Sequence, residues 1–436
     1  MIQIILHQLW NQRRQNGWIF IELLVVSFFL WTIIDPVYVL IANRIIDKGY
    51  DSKGLYVVNI GSYDSTDGRY DAAMATDSMC LEAYRRIARI VRDQPEVGSW
   101  SISTSWSFPN SNSWSGTQFF ADTASLHKGD GFVHAQQYNF TTAEGSDMFR
   151  TYGMKDIRTG GDMKIPIQNK DKVFISERFA QLLFGSTDVV GRKIYENENA
   201  CEVAGVFRNF KHWDFKQPYP LVVYIDPDME ASDYMNRTYN FVIRLKPGVD
   251  ASAFKRRFLQ EVGPQLSVGN FYFDRLQEFS ALSDAYAMQS GVTNKLRLQS
   301  ALTGFTLLCI FLGMVATFWI RSNARREEIG VMRSMGASRG CIVRQFLIEG
   351  WLLLTTAFVS VIPLLLYHAY SNGMYVVKIN KYFVPDPAYG QNCFGFHFLI
   401  VLISSYLILL LIALIGTYIP VRRAARTLPA DALRDE

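Results

Sequence analysis

Residues whose types and spacing could do chemistry are sparse in this sequence and lie in two kinds of place. The long middle segment carries three histidines, His127, His134 and His212, and neither HExxH nor GxSxG occurs in it, while GxxxxGK[ST] occurs nowhere in the chain. Metalloprotease and serine-hydrolase chemistry therefore have no motif anchor in that segment, and phosphate-loop chemistry has none in the chain. His212, Trp213 and Asp214 are consecutive, and adjacency along the chain does not by itself converge side chains on a reacting atom. The cysteines are Cys80, Cys201, Cys309, Cys341 and Cys393. None makes a CxxC pair and none joins a histidine cluster of zinc-ligand spacing. No catalytic, cofactor-binding or metal-ligating residue is expected. What remains is a handful of carboxylates inside apolar stretches, Glu22, Asp35 and Glu349, and one arginine-rich connection, 321–344.

The elements that must position these residues are membrane helices. A bilayer core of ~30 Å needs about 20 apolar residues in helix. Four stretches meet that requirement: Trp18 to about Ile41, Ala301 to Ile320, about Phe346 to Tyr367, and about Phe398 to Ile419. The first follows Arg13 and Arg14, as a signal peptide would, but it is longer than a usual signal core and ends in no small-residue cleavage site, which makes it an uncleaved anchor. Glu22 and Glu349 fall near the ends of their spans, where solvation or snorkelling is expected. Asp35-Pro36 is read as the place where the first helix leaves the hydrocarbon. A net charge of +4 over 436 residues does not suggest a nucleic-acid binder, and the placement of the basic residues matters more. Arginines concentrate before the first span, between the second and third (Arg321, Arg325, Arg326, Arg333, Arg339, Arg344) and in the tail (Arg422, Arg423, Arg426, Arg434). The segment between the third and fourth spans has only Lys378 and Lys381. The positive-inside rule then places both termini and 322–344 in the cytoplasm.

These boundaries divide the chain into 1–42 (cytoplasmic N-terminus and first span), 43–298 (a large extracytoplasmic domain), 299–321 (second span), 322–344 (cytoplasmic connection), 345–369 (third span), 370–394 (short extracytoplasmic loop), 395–420 (fourth span) and 421–436 (cytoplasmic tail). The fold class is a four-helix membrane protein with an α+β domain inserted between helices one and two. That domain is long enough for its own core. Strands are expected at Leu55–Ile60, Val173–Ile175, Val203–Phe207, Leu221–Ile225 and Phe241–Leu245, and amphipathic helices at Leu81–Asp93 and Ser252–Val262. A subdomain is expected over about 155–235, and Asp284–Leu298 is expected to run unbroken into the second span. The serine-rich segment Ser99–Gly116 carries Trp100, Trp106 and Trp114 and reads as an edge strand and its hairpin with tryptophan facing the core. Cys80 and Cys201 could pair if the domain faces an oxidising compartment. Asn139-Phe140-Thr141 and Asn236-Arg237-Thr238 match glycosylation sequons.

The connection 321–344 is the most informative stretch. Ile329, Met332 and Met335 recur at i, i+3, i+6, which suggests one helix face. Arg325, Arg326, Glu327, Glu328 and Arg333 precede or flank it, and Gly336 stands where a helix-ending glycine belongs. A short amphipathic helix of this kind suits either a groove on a soluble partner or the lipid surface. Arg325–Arg339 (RREEIGVMRSMGASR), followed by Gln345-Phe346-Leu347-Ile348-Glu349, resembles the permease subunits of MacB/FtsX-type ABC transporters, which carry a motif REIGxxRAxGAxR between their second and third spans. The tail Pro420–Leu433 (PVRRAARTLPADAL), Val173–Gly191, Val203–Val206 and Phe241–Asp250 (FVIRLKPGVD) are similar to the same family in the same order. Ser334 departs from the pattern, standing where alanine is usual, and the first span departs through Glu22 and Asp35.

The resemblance implies a mechanism. A separate cytoplasmic ABC ATPase would bind ATP, and this chain would bind no cofactor of its own. Arg325, Arg326, Glu327, Glu328, Ile329, Gly330, Met332, Arg333, Met335 and Gly336 would couple that ATPase to the spans. Motion would reach the external domain for export of a lipid, lipoprotein, peptide or drug. A second permease copy or paralogue would complete the complex in the bacterial cytoplasmic membrane, with an extracytoplasmic partner protein allowed. A signalling subunit that controls an external enzyme or sensor is the alternative within the family. A membrane-anchored receptor or enzyme without an ATPase is the alternative outside it, and the arginine-bearing short helix argues against that one.

Overall fold

In the computed structural model, residues 13–104, 107–112, 114–165, 171–229 and 239–424 are described. Trp106, the sequon at Asn236-Arg237-Thr238 and the tail beyond Ala424 lie outside them. The principal helices are α1 (Arg13–Ile45), α2 (Asp77–Arg92), α3 (Glu177–Phe184), α4 (Ala251–Arg257), α5 (Phe279–Gln289), α6 (Val292–Ala324), α7 (Arg326–Ser334), α8 (Arg339–Asn372) and α9 (Phe394–Ala424). The strands are β1 (Leu55–Ser62), β2 (Val97–Thr104), β3 (Gly116–Phe119), β4 (Val133–Thr141), β5 (Lys172–Ser176), β6 (Lys193–Glu196), β7 (Asn199–Phe207), β8 (Leu221–Asp226), β9 (Tyr239–Leu245) and β10 (Phe271–Glu278). They fall into two compact units. One holds the long helices, and the other comprises Asn43–Val292 with Lys378–Val384.

Four helices of the first unit are long and apolar enough to cross a bilayer, over Gly17–Ile45, Val292–Thr317, Arg339–Asn372 and Phe394–Arg423. Their shared core draws Leu23, Leu30 and Trp31 from α1, Met314 from α6, Leu354, Ala357 and Val361 from α8, and Val401 and Leu409 from α9. The first helix continues past Asp35-Pro36, as the span to about Ile41 required. It carries Pro36 within it and runs on to Ile45. Neighbouring helices can supply the polar contacts that a proline inside a membrane helix leaves open.

The second unit is built on one twisted sheet of order β10-β1-β9-β2-β4-β8-β5-β7-β6, with β3 added to β4. Pairings are antiparallel except β4 with β8 and β5 with β7. Alternation along each strand explains why the sheet is buried on both faces. In β1, Tyr56, Val58 and Ile60 meet Tyr84, Ile87 and Val91 of α2, while Leu55 and Val57 turn to the opposite face. In β8, Leu221, Val223 and Ile225 join that opposite face, and Val222 packs with Phe179 and Ala180 of α3. The five strands expected from the sequence are all present, each within a somewhat longer element.

Several expectations are corrected. Trp100 does face the core, but β2 lies between β9 and β4 and is not an edge strand. Trp114 stacks on His134 with ring centroids 5.3 Å apart. Helix does not run unbroken from Asp284 into the second span. α5 stops at Gln289, and Gly291 at φ +74° breaks the chain before α6, because a positive φ is incompatible with continued right-handed helix. Cys80 and Cys201 are both free thiols in separate cores, the first on α2 and the second on β7. Asn139 is half-buried within β4, paired with Tyr224 of β8, an interior strand position unlike the surface loop that glycosylation needs.

Candidate functional site

The connection between α6 and α8 holds the residues singled out by the sequence. Arg325 leaves helical geometry (φ −106°, ψ 22°), which separates α6 from the nine-residue α7. Gly336 adopts φ +91°. Its N–H donates to the Arg333 carbonyl at 3.1 Å, and the Ala337 N–H donates to the Met332 carbonyl at 3.0 Å. That pair of bonds is the Schellman arrangement, which closes a helix C-terminus by satisfying its last carbonyls and requires a residue tolerant of positive φ. Ser338 then caps α8, accepting from the Cys341 N–H at 3.2 Å. Ser334, the departure from the family motif, spends its hydroxyl on the Val331 carbonyl at 2.8 Å, inside its own helix.

The side chains of α7 divide differently from the sequence expectation. Ile329 is buried with Ile342, Phe346 and Val421, whereas Met335 is 84% exposed. Residues at i, i+3, i+6 slip by about 60° per step round a helix of 3.6 residues per turn. Ile329 and Met335 therefore end on different sides, and Ile329 is not part of an outward face. Gly330 is also buried, and Met332 and Arg333 are half-buried. The outward apolar pair is Val331 with Met335, four residues apart. Val331 was not among the expected coupling residues, although its i, i+4 spacing to Met335 was visible. Of Arg326, Glu327 and Glu328 the backbone alone is described, and it is helical.

Arg325 anchors the connection. Its guanidinium donates from Nη1 to Glu349 Oε2 of α8 at 2.7 Å and lies 4.7 Å from the Phe346 ring centroid. Both partners of the ion pair are buried. Glu349 is therefore neither solvated nor snorkelling, as expected from its sequence position, but paired across the bundle. Glu22 likewise meets a neighbour, accepting from Thr317 Oγ1 of α6 at 3.2 Å. Asp35 is buried on α1, with Oδ1 2.6 Å from His397 Nε2 of α9 and Oδ2 accepting from the Tyr375 N–H at 2.9 Å. These pairs follow the general rule that ionisable groups at membrane depth face the bundle and find partners.

A second polar cluster lies in the sheet unit and was dismissed by the sequence reading. Lys211, fully buried, donates to the carbonyls of Asn43 and Ile46, both at 2.7 Å, and to that of Asp214 at 3.3 Å. It thereby satisfies carbonyls left open where the chain leaves α1. Burial holds the Lys211 ammonium down at about 8, with Asp214 acting in the opposite direction. Asp214 accepts from Lys48 Nζ at 2.8 Å and from the Tyr50 hydroxyl at 2.6 Å. Burial acts to raise the Asp214 carboxyl, but the hydrogen bonds from Lys48 and Tyr50 outweigh it and keep it below the usual carboxylate range. His212 Nδ1 sits 2.5 Å from the Tyr138 hydroxyl. Because Asp214 is engaged by Lys48 and Tyr50 rather than by His212, the order of a nucleophile–histidine–carboxylate relay is not made. Lys211 and Asp214 clamp the start of the domain, while His212 meets the Tyr138 hydroxyl and Trp213 Nε1 donates to the Ser111 carbonyl.

Lys378–Val384, within the segment between α8 and α9, also belongs to this unit. Tyr382 stacks on His134 at 4.8 Å between centroids, and Asn380 bonds the Tyr219 hydroxyl at 3.0 Å.

Comparison with known proteins agrees with this layout. The model of the MacB-like periplasmic core domain matches residues 40–261, half of the chain, and that of the FtsX-like permease C-terminal region matches residues 300–429. The chain is 23% identical over 302 residues to the macrolide export ATP-binding/permease protein MacB 2 of Aeromonas hydrophila, covering 67% of this chain and 42% of that protein. It is 23% identical over 184 residues to the uncharacterized ABC transporter permease YknZ of Bacillus subtilis, covering 41% of this chain and 44% of that protein. The chain thus spans less than half the length of these curated relatives. The crystal structure of the periplasmic region of MacB from Actinobacillus actinomycetemcomitans superposes with a TM-score of 0.31 at 11% identity, covering 58% of this chain and 98% of that one. The two family matches fall in order on the inserted sheet domain and on the helices that follow it, so this chain belongs to the MacB/FtsX-type family of ABC transporter permeases, multi-pass proteins of the bacterial inner membrane.

Proposed function

We propose that this permease transmits force rather than enclosing a hydrophilic pore. In this reading a separate cytoplasmic ATPase binds ATP, presses on α7, and moves the membrane helices and through them the periplasmic core domain. The observation that carries the reading is the two-sided build of α7. Its inner side is fastened to α8 by Ile329 and by the buried Arg325–Glu349 pair, while Val331 and Met335 are left outward. A short helix fixed on one side and apolar on the other suits transmission of a push from a docked partner. The arginines around the connection and in the tail favour a cytoplasmic location for both and for the N-terminus. Export of a lipid, lipoprotein, peptide or drug is the favoured task, supported by the export named for the Aeromonas relative. Two permeases, identical or paralogous, would work with two ATPases.

The test is affinity purification in mild detergent with Val331→Asp and Met335→Asp variants. The wild type is expected to recover a nucleotide-binding protein, and the paired variant to lose it while inserting normally into the membrane. Unchanged recovery would exclude α7 as the docking element. Labelling of the exposed Cys341 with a membrane-impermeant thiol reagent checks the side. Reaction in inverted vesicles and none in intact cells is expected, and the reverse would overturn the orientation.

A further inference from the structure

A groove of about 740 Å³ runs between α8 and α9, at the end of the helices that carries the basic connection. Its walls are apolar, formed by Leu347, Ile348 and Trp351 of α8 and by Leu410 and Leu414 of α9. Its mouth is ringed by Arg339, Arg344 and Arg422, and no carboxylate lines it among the described residues. The three guanidiniums make no ion pair among the described residues, and all three are exposed. The first turn of the 34-residue α8 opens at the same mouth, beginning at Arg339, so the positive end of its dipole adds to the three charges.

We propose that this groove holds one anionic phospholipid, with its phosphate among Arg339, Arg344 and Arg422 and an acyl chain lying along the apolar walls. The charge arrangement selects the occupant. An uncharged lipid would leave the three positive charges without a counter-charge, and a zwitterionic one would bring a cation to the arginines along with its phosphate, whereas an anionic one supplies the phosphate oxygens that guanidinium groups recognise in paired geometry with no added cation. The length agrees as well. From Arg422 to Leu410 along α9 is about 18 Å at 1.5 Å per residue, close to the ~15 Å depth of one leaflet of the hydrocarbon core. A free anion would use the mouth and ignore the walls, whereas a lipid uses both. The site is distinct from the outward face of α7, so loss of ATPase docking and loss of this lipid are separate results.

The experiment uses the full-length protein in detergent, with phosphatidylglycerol and phosphatidylcholine counted by native mass spectrometry. One phosphatidylglycerol per chain is expected to survive delipidation, and phosphatidylcholine is not. Each arginine near an anionic group contributes about fivefold in affinity, so the Arg339→Gln/Arg344→Gln/Arg422→Gln variant is expected to lose about 100-fold. Leu414→Trp, which fills the groove and keeps every charge, is expected to lose the lipid too and guards against misfolding of the charge variant. Arg423→Gln, whose guanidinium lies over the Trp319 ring at 5.2 Å instead of lining the groove, is expected to retain it. Equal retention of phosphatidylcholine would overturn the proposal. So would complete displacement by inorganic phosphate, which would make the mouth a simple anion site. Spontaneous disulfide dimers of Leu414→Cys with no bound lipid would assign the groove to a second chain and overturn it equally.

Discussion

Lys211, fully buried, and Lys216, half-buried, each add to the stability of the periplasmic core domain a contribution that grows as pH rises. Burial holds Lys211 and Lys216 each at about 8, against 10.5 for a free lysine, and Lys216 lies 3.9 Å from the Trp213 ring centroid. A lysine whose folded value is depressed binds fewer protons folded than unfolded between those two values. Stability therefore increases as pH rises through that window. Between about pH 7.5 and about pH 9 the linkage integral comes to about 1 kcal/mol per lysine. Other groups act in the same range and oppose it. Burial raises the Cys80 and Cys201 thiols, and a raised folded value loses stability as pH climbs through the thiol range. Buried tyrosines such as Tyr84 and Tyr152, raised by burial, remove more stability above about pH 10. Comparison with Lys211→Met and with Lys211→Met/Lys216→Met cancels these shared contributions. Each variant is less stable throughout, because the Asn43 and Ile46 carbonyls or the Trp213 face lose their partner. The slope is the readout. Relative to wild type, the single variant should fail to gain about 1 kcal/mol over that window and the double about 2. The measurement is thermal or denaturant unfolding of the full-length protein in detergent, followed by tryptophan fluorescence at several pH values. Parallel pH profiles for wild type and both variants would refute the reasoning, since they would show that neither lysine changes its proton affinity on folding.

Two further outcomes concern the membrane pairs. Glu349→Ala leaves the Arg325 guanidinium buried beside Phe346 and should cost about 3–5 kcal/mol, whereas Arg325→Met/Glu349→Leu should stay within about 1 kcal/mol of wild type. Unfolding in detergent checks this, and a double variant as unstable as Glu349→Ala would show that the two side chains do not act as a pair. Asp35 and His397 should show a coupling of roughly 0.5–3 kcal/mol in a double-mutant cycle built from Asp35→Ala and His397→Ala. Strict additivity would mean that their 2.6 Å approach contributes nothing.

The four spans were legible because the bilayer leaves a chain few choices. A backbone in hydrocarbon must bond within its own segment, so a run of about 20 apolar residues declares a helix without reference to its neighbours. The stop at Gly336 was legible for a related reason, since a Schellman closure is made from a few consecutive residues. The strands at Val173, Val203, Leu221 and Phe241 could be read from runs of β-branched and aromatic residues. The weakly patterned β3, β6 and β10 could not, because their place depends on the strand they pair with.

What the tertiary structure alone decided is which residues meet across long separations. Lys211 reaches carbonyls 168 and 165 positions away, Tyr50 reaches Asp214 across 164, and Asp35 on the first helix meets His397 on the last. Periodicity shows that a helix has a face but not what covers it. For this reason Ile329 passed as a docking residue until Ile342, Phe346 and Val421 were seen to bury it, and Val331 passed unnoticed. The sequence alone determined that this chain has four apolar helices, an inserted α+β domain and a short basic helix between its second and third spans. Packing determined which side of that short helix is fastened and which is left outward, because burial is settled by neighbours that no local pattern encodes.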